Sequence, residues 1–191
     1  MRLGNVALLA GSLVLAACVS APRVPPAARD EIGDFALEGR FALHVVSPAP
    51  ASGSSGGRLA WEHKNGDDHI LISSPLGIGV AEIEITPSRS SLRTADGKRR
   101  EAVDADGLME EVTGRALPVS RLPAWLLGRA ARTTPVERDD SGRPRRFFEA
   151  GWQIEYAYDD DAADALPARL TLSRENDVEL RLRIEEWKDT R

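Results

Sequence analysis

The side chain with the clearest chemistry in this 191-residue chain is its one cysteine, Cys18, because a thiol can be acylated. It follows Leu15-Ala16-Ala17 and ends an N-terminal segment that begins Met1-Arg2 and continues as an apolar run over residues 6–17. A membrane-spanning helix needs about 20 apolar residues, so this run is too short to span, but it has the length of a signal-peptide core. We therefore predict a signal peptide over residues 1–17.

The segment Leu15-Ala16-Ala17-Cys18 resembles the bacterial lipobox. The resemblance implies that the thiol of Cys18 is diacylated, that the chain is cut just before it, and that the new amino group is acylated. Several acyl chains anchor a protein stably, whereas one does so only marginally. Val19 stands where Asp would favour retention in the inner membrane of Gram-negative bacteria, so the resemblance favours the outer membrane. The alternative is a buried thiol in an ordinary secretory signal.

Other side chains with catalytic or metal-binding chemistry are sparse. His44, His63 and His69 do not have the spacing of HExxH or of another ligand motif. His63 and His69 fall on strands predicted to be neighbours, so a metal pair is an alternative. No serine lies in a nucleophile-elbow sequence, and the acidic run at residues 159–161 lacks an EF-hand pattern. We therefore predict a protein that is not an enzyme, with no metal site and no cofactor.

Length and charge limit the class of protein. Removing residues 1–17 from 191 leaves 174, enough for one domain, predicted over residues 33–191. The prolines and small residues of residues 18–32 predict an extended tether. The net charge of −5 and the pI of about 5.3 argue against nucleic-acid binding. Arginines between residues 138 and 146 are interrupted by Asp139 and Asp140, which favours a solvated hairpin over a docking patch for an acidic partner.

Alternation of apolar and polar residues predicts strands along most of the chain. It is clearest over residues 35–45 and recurs near residues 58–62, 69–73, 81–85, 90–95, 145–149, 152–158, 170–172 and 178–184. Gly53-Ser54-Ser55-Gly56-Gly57 indicates a flexible turn, and Asn65-Gly66 indicates a hairpin. The alternation breaks before Trp187, where we predict a bulge.

Two short helices are predicted in the middle of the chain. Asp104 can cap the first, which ends at Gly114, and Ser120 can cap the second, which ends at Gly128. The apolar residues at helical spacing are Leu108, Met109 and Val112 in the first helix, and Leu122, Trp125 and Leu126 in the second.

A sheet with one apolar face must cover that face or close on itself. Two short amphipathic helices can act as a lid on a curved sheet. The aromatic residues predicted on the apolar face are Phe41, Trp61, Trp152 and Tyr156. A concave surface of this kind suits acyl chains, and the alternative is that these aromatics pack an ordinary core.

The mature chain resembles the outer-membrane lipoprotein receptor family LolB over nearly its whole length. The resemblance rests on an ordered set of residues: Phe41, Trp61, Ser74-Pro75-Leu76-Gly77, Asp96-Gly97, Gly114, Leu117-Pro118, Leu122, Trp125-Leu126-Leu127-Gly128, Gly151-Trp152, Tyr156 and Trp187. It implies an incomplete, unclosed antiparallel β-barrel with a short helical lid over a hydrophobic cavity. It also implies receipt of lipoproteins from the periplasmic carrier LolA and their insertion into the outer membrane. The cavity would be lined by Leu108, Met109, Leu122 and Trp125 of the lid and by the aromatic residues named above.

Pro75-Leu76-Gly77 suits a type I turn, with Pro75 at the second position and Gly77 at the fourth. In the LolB family this position is a protruding loop with an exposed apolar residue, which the resemblance assigns to Leu76. Ile78 extends the apolar character and can share that role.

The expected partners are LolA, cargo lipoproteins and outer-membrane lipid, and we expect a monomer. The alternative function is a lipoprotein that acts as an envelope scaffold or binds lipid without transferring it.

Overall fold

A computed structural model describes residues 29–45, 53–175, 177–188 and 190, so Cys18 and the tether up to residue 28 lie outside the described residues. The strands are β1 (Phe35–Val45), β2 (Gly53–Lys64), β3 (Asp67–Ser73), β4 (Gly79–Thr86), β5 (Arg89–Thr94), β6 (Arg99–Ala102), β7 (Val136–Arg138), β8 (Pro144–Glu149), β9 (Trp152–Ala157), β10 (Arg169–Arg174) and β11 (Val178–Lys188). The helices are α1 (Ala105–Thr113) and α2 (Leu122–Leu126), with 3-10 turns at Arg29–Glu31 and Val119–Arg121.

All the strands belong to one antiparallel sheet, in the order β6-β5-β4-β3-β2-β1-β11-β10-β9-β8-β7. In the described part of the chain the edge strands β6 and β7 do not pair, so the sheet is unclosed. The two helices lie between these edge strands in the sequence, and their buried residues join the same apolar core as the strands. The predicted mainly β fold, an unclosed antiparallel sheet with a short helical cover, is confirmed.

The predicted alternation places apolar side chains on the inner face. Trp152, Ile154 and Tyr156 are buried in β9, and the residues between them are half-buried. Asn65 and Gly66 form the predicted hairpin turn between β2 and β3, both with positive φ, 53° and 85°. This is the backbone shape that matches the twist of paired strands.

The predicted break in β11 is a bulge. Glu38 lies opposite Glu186 while the next residue, Gly39, lies opposite Ile184, so Glu185 is the extra residue. A Cβ at Gly39 would come within 2.3 Å of the Arg183 carbonyl oxygen, so the two strands approach here more closely than a side chain allows.

The expectation of a flexible turn at residues 53–57 was wrong. These residues form the first half of β2 and pair with β1 along its length. A Cβ at Gly57 would lie 2.3 Å from the Ser73 carbonyl oxygen, so the glycine permits close packing between β2 and β3. Glycine in this segment therefore allows neighbouring strands to approach closely, which is a common role of glycine within a strand.

The first helix follows its predicted signals. Asp104 accepts a hydrogen bond from the backbone N–H of Gly107 at 2.8 Å, and Gly114 ends the helix with φ of 71°. Ser120 does not cap the second helix, because it lies inside the preceding 3-10 turn. Its backbone N–H and its hydroxyl both donate to the carboxylate of Asp106, each at 2.9 Å, which ties this turn to α1.

The residues just before the predicted domain boundary contact the domain. Ile32 is buried in the core, and the Arg129 guanidinium donates to its carbonyl oxygen at 2.6 Å. Arg29 donates to the Ala165 carbonyl oxygen at 2.7 Å. Arg29 and Ile32, which lie in the segment that we assigned to the tether, therefore contact the domain.

Candidate functional site

The loop between β3 and β4 is fixed by hydrogen bonds that converge on Ser74. The Gly77 N–H donates to the Ser74 carbonyl oxygen at 2.8 Å, which is the closing bond of the predicted turn. The Ser74 N–H donates to the Ile78 carbonyl oxygen at 2.8 Å, and the Ile78 N–H donates to the Ser74 hydroxyl at 3.2 Å. Gly77 has φ of 83°, a conformation that favours glycine. The loop therefore has a defined shape.

This turn holds apolar side chains in water. Leu76 is 89% exposed and Ile78 is 68% exposed, and the neighbouring Val80 and Leu71 are also exposed. A single exposed leucine is ordinary on a protein surface, but a group of four at one hairpin end is typical of an interaction site. Pro75, Leu76, Gly77 and Ile78 therefore form an exposed apolar turn, and its role as a membrane-insertion loop stays a prediction.

The residues predicted to line an acyl-chain cavity are brought together beneath the helices. Seven are buried in one core and Phe41 packs against its edge; the seven are Trp61, Leu108, Met109, Leu122, Trp125, Trp152 and Tyr156. The Tyr156 hydroxyl donates to the Trp125 carbonyl oxygen at 2.8 Å, so the sheet is bonded directly to α2. Burial raises the pKa of Tyr156, so this hydroxyl stays protonated and remains a donor.

In this conformation most of the side chains predicted to line the cavity are themselves buried in the core. The enclosed space between Trp61, Leu126 and Leu182 cannot hold a water molecule.

An open pocket of about 440 Å³ marks the seam between the helices and the sheet. The sheet contributes Phe35, His63 and Ile85 to its lining, and the helical segment contributes Ala105 and Leu127.

A buried carboxylate organises the sheet side of the seam. Asp68 accepts hydrogen bonds from the Trp61 indole N–H and from His63 Nδ1, each at 2.7 Å. The His63 ring stacks on Phe35 with centroids 5.2 Å apart. The role of Asp68 was not predicted, because the turn signal of Asn65-Gly66 gave the two aspartates after it an ordinary explanation as turn residues.

The alternative of a metal pair at His63 and His69 was wrong. His63 lies opposite Asp68 and His69 lies opposite Glu62, which are adjacent register positions, so the two rings point to opposite faces. His69 instead contacts Glu82 at 2.8 Å, and Glu82 also pairs with Arg93.

The basic stretch at residues 138–146 forms the predicted hairpin, between β7 and β8. Arg143 is buried there, with its guanidinium 4.3 Å from the centre of the Tyr158 ring and its Nε 2.7 Å from Asp139. Burial raises the pKa of Tyr158 to about 12. Arg143 therefore stabilises the fold and is not free to bind an acidic partner.

The sequence matches the family described as Outer membrane lipoprotein LolB over residues 33–187. The chain belongs to the LolB family. The LolB of Dechloromonas aromatica (strain RCB) is 57% identical over 190 residues, covering 100% of both chains. That of Azoarcus sp. (strain BH72) is 34% identical over 189 residues, covering 97% of this chain and 95% of the relative. Among solved structures, a LolA superfamily protein from Nitrosomonas europaea has a TM-score of 0.49 at 13% identity, covering 84% of this chain and 89% of that one.

Membership of LolB confirms the resemblance that the ordered motifs predicted, and with it a lipid-anchored protein of the outer membrane in a Gram-negative bacterium. Within the described residues, the structure contains no helix with the length and apolar character needed to cross a bilayer.

Proposed function

We propose that this protein receives lipoproteins from the periplasmic carrier LolA and inserts them into the outer membrane while anchored through Cys18. The observation that carries the proposal is Leu76, an 89% exposed leucine on a turn closed by three hydrogen bonds. A leucine held in water does not stabilise the folded state, whereas the same side chain would stabilise contact with a membrane.

Reception requires the lid to open. The acyl chains of the cargo enter at the seam and replace the contacts that Leu108, Leu122 and Trp125 make with the sheet. The closed lid carries a cost that favours this exchange, because the buried Trp125 indole N–H has no acceptor among the described residues. A buried unpaired donor costs about 1–3 kcal/mol, which a displaced lid can recover by exposing the indole.

The lid can move as a unit. Asp106 bonds the 3-10 turn before α2 to the start of α1 through both the backbone and the side chain of Ser120. These bonds lie within the helical segment and so need not break when it swings. The bond from Tyr156 to the Trp125 carbonyl oxygen joins lid to sheet, and it must break.

Delivery begins at the exposed loop. Burying a leucine side chain in lipid stabilises contact by about 1.5–3 kcal/mol, enough to engage the bilayer locally but far less than the acyl anchor provides. Transfer needs no nucleotide if affinity for the acyl chains increases from carrier to receptor to membrane, since about 1.4 kcal/mol gives a tenfold bias.

A packed core taken alone also fits the alternative of a scaffold or non-transferring lipid-binding module. The exposed apolar loop and the family favour transfer. The deciding experiment mixes a purified complex of carrier and lipoprotein with vesicles that contain this protein. Cargo should move into the vesicles, whereas vesicles without the protein should leave it on the carrier. Equal incorporation in both would refute the proposal.

A further inference from the structure

A second open pocket, of about 500 Å³, lies beside the loop that carries Leu76. Its lining residues come from the loop and from the two neighbouring strands β1 and β2: Pro75, Phe41, Gly56, Gly57, Arg40 and Arg58. Strand register explains the placement, because Arg58 lies opposite Ser73, the last residue before the loop, and Arg40 lies opposite Arg58.

The two guanidinium groups share one counter-charge. Arg40 Nε lies 2.7 Å from one carboxylate oxygen of Glu185, and Arg58 Nη2 lies 3.2 Å from the other. Glu185 is the extra residue of the β11 bulge, which brings its side chain to this pair. Two cations and one anion leave a surplus positive charge beside the pocket.

The pair belongs to a longer row of like charges. Arg183 lies opposite Arg40, and Arg169 lies opposite Arg183. These two share Asp159, at 2.5 and 2.7 Å. Like charges directly opposite each other destabilise a sheet, so folding alone does not favour such a row. What distinguishes Arg40 and Arg58 from the other pair is the pocket and the adjoining apolar loop.

We propose that this pocket binds the headgroup phosphate of an anionic phospholipid in the membrane that Leu76 enters. Guanidinium groups match the oxygens of a phosphate in a bidentate manner, and they are weakly hydrated compared with ammonium groups. The phosphate replaces Glu185 as the partner of Arg40 and Arg58, which couples loop insertion to recognition of a lipid headgroup. This inference rests on the proposed function, because it takes the Leu76 loop as the part that meets the membrane.

The test uses the full lipidated protein in phosphatidylethanolamine vesicles that contain a trace of phosphatidylglycerol with a photoreactive headgroup. Crosslinks are mapped by mass spectrometry to the peptides that contain Arg40, Arg58 and Pro75. In the double variant Arg40→Gln/Arg58→Gln the crosslink yield should fall by at least about fivefold. This lower bound is the factor expected for the loss of a single basic group at an anionic surface. The matched control is Arg138→Gln/Arg146→Gln, which removes the same charge from the β7–β8 hairpin, outside the pocket lining, and should keep the wild-type yield.

A third variant shifts the crosslink in the opposite direction. Glu185→Gln frees both guanidinium groups, so its crosslink yield should rise above that of the wild type. Equal loss in the two double variants would show a diffuse charge effect, and equal crosslinking by a phosphatidylcholine probe would show no headgroup selection. Either result overturns the proposal, as does a wild-type crosslink that maps elsewhere, for example because the row binds an acidic protein instead.

Cargo transfer is measured in the same vesicles so that the two proposals fail separately. If the crosslink follows the expected pattern but no cargo is inserted, the headgroup site stands and the receptor mechanism fails. If cargo is inserted but no crosslink reaches the pocket, the headgroup proposal fails alone.

Discussion

Replacing Leu76 with glutamate should separate delivery from folding. The side chain is 89% exposed and makes no core contact, so the free energy of unfolding should change by no more than about 0.5 kcal/mol. The loop hydrogen bonds converge on Ser74 and use no atom of the Leu76 side chain, so the turn should keep its shape.

The effect on insertion should be large. The variant loses about 1.5–3 kcal/mol of leucine burial in lipid. It also places a charge where entry into the acyl region costs about 2.5–3.5 kcal/mol by insertion scales. The smaller ends of these two ranges sum to about 4 kcal/mol. Because about 2.7 kcal/mol already corresponds to a hundredfold change in rate, incorporation should slow by at least about a hundredfold.

The assay follows three quantities for each variant: thermal unfolding, receipt of lipoprotein from the carrier, and incorporation of cargo into vesicles. Leu76→Glu should unfold and receive cargo like the wild type but fail at incorporation, and Leu76→Ile should remain active. Phe148→Glu is a matched control, because it places the same charge at another exposed apolar position, 64% exposed, away from the loop. Wild-type incorporation by Leu76→Glu would refute the reasoning and make Ile78 the next residue to test. Unfolding by the variant would show that Leu76 supports the fold.

Three further predictions address the anchor, the core and the charge row. A chain that begins at Ser20 should be soluble, retain its far-UV β signal and still accept lipoprotein; aggregation would mean that the tether belongs to the core. A brominated fatty acid should quench tryptophan fluorescence saturably, and Trp125→Ala should weaken its binding by loosening the lid; non-saturable quenching would support a solid scaffold. The guanidinium of Arg183 and that of Arg169 hold the pKa of Asp159 at about 2, below its usual value of 3.8, so their stabilising effect should be present above about pH 4 and lost as the pH falls toward 2. Urea unfolding of Asp159→Asn should lack this part of the acid dependence, and an unchanged pH profile would show that the pair does not affect stability.

Much of the fold could be predicted because each strong local signal agreed with the tertiary structure. Alternation in β1, β9 and β11 determined which side chains face inward, and Asn65-Gly66 suited a hairpin that the sheet also required. The edge strands β6 and β7 were missed because they are short and mostly polar, so they have no apolar alternation to detect. Gly57 was misinterpreted because flexibility and close backbone approach favour the same residue.

The site was predictable where it depended on adjacent residues and not where it depended on register. Pro75-Leu76-Gly77 contains its own turn geometry, so the exposed leucine followed from the local sequence and the family resemblance together. The buried Asp68 and the row of arginines were not foreseen, because each depends on which residues of distant strands lie opposite one another. The choice between a cavity and an ordinary packed core was left open, since composition does not distinguish side chains that line a cavity from side chains that fill it.

The central claim is that the cargo's acyl chains pass through the core beneath the lid. Its most direct test places a photoreactive amino acid at Leu126, a fully buried lid residue, in the full lipidated protein. Light pulses are then given during transfer from the carrier to vesicles. We expect a crosslink to the cargo that appears before incorporation into the vesicles and declines as incorporation proceeds. Incorporation at the normal rate with no crosslink at Leu126 at any time would contradict it.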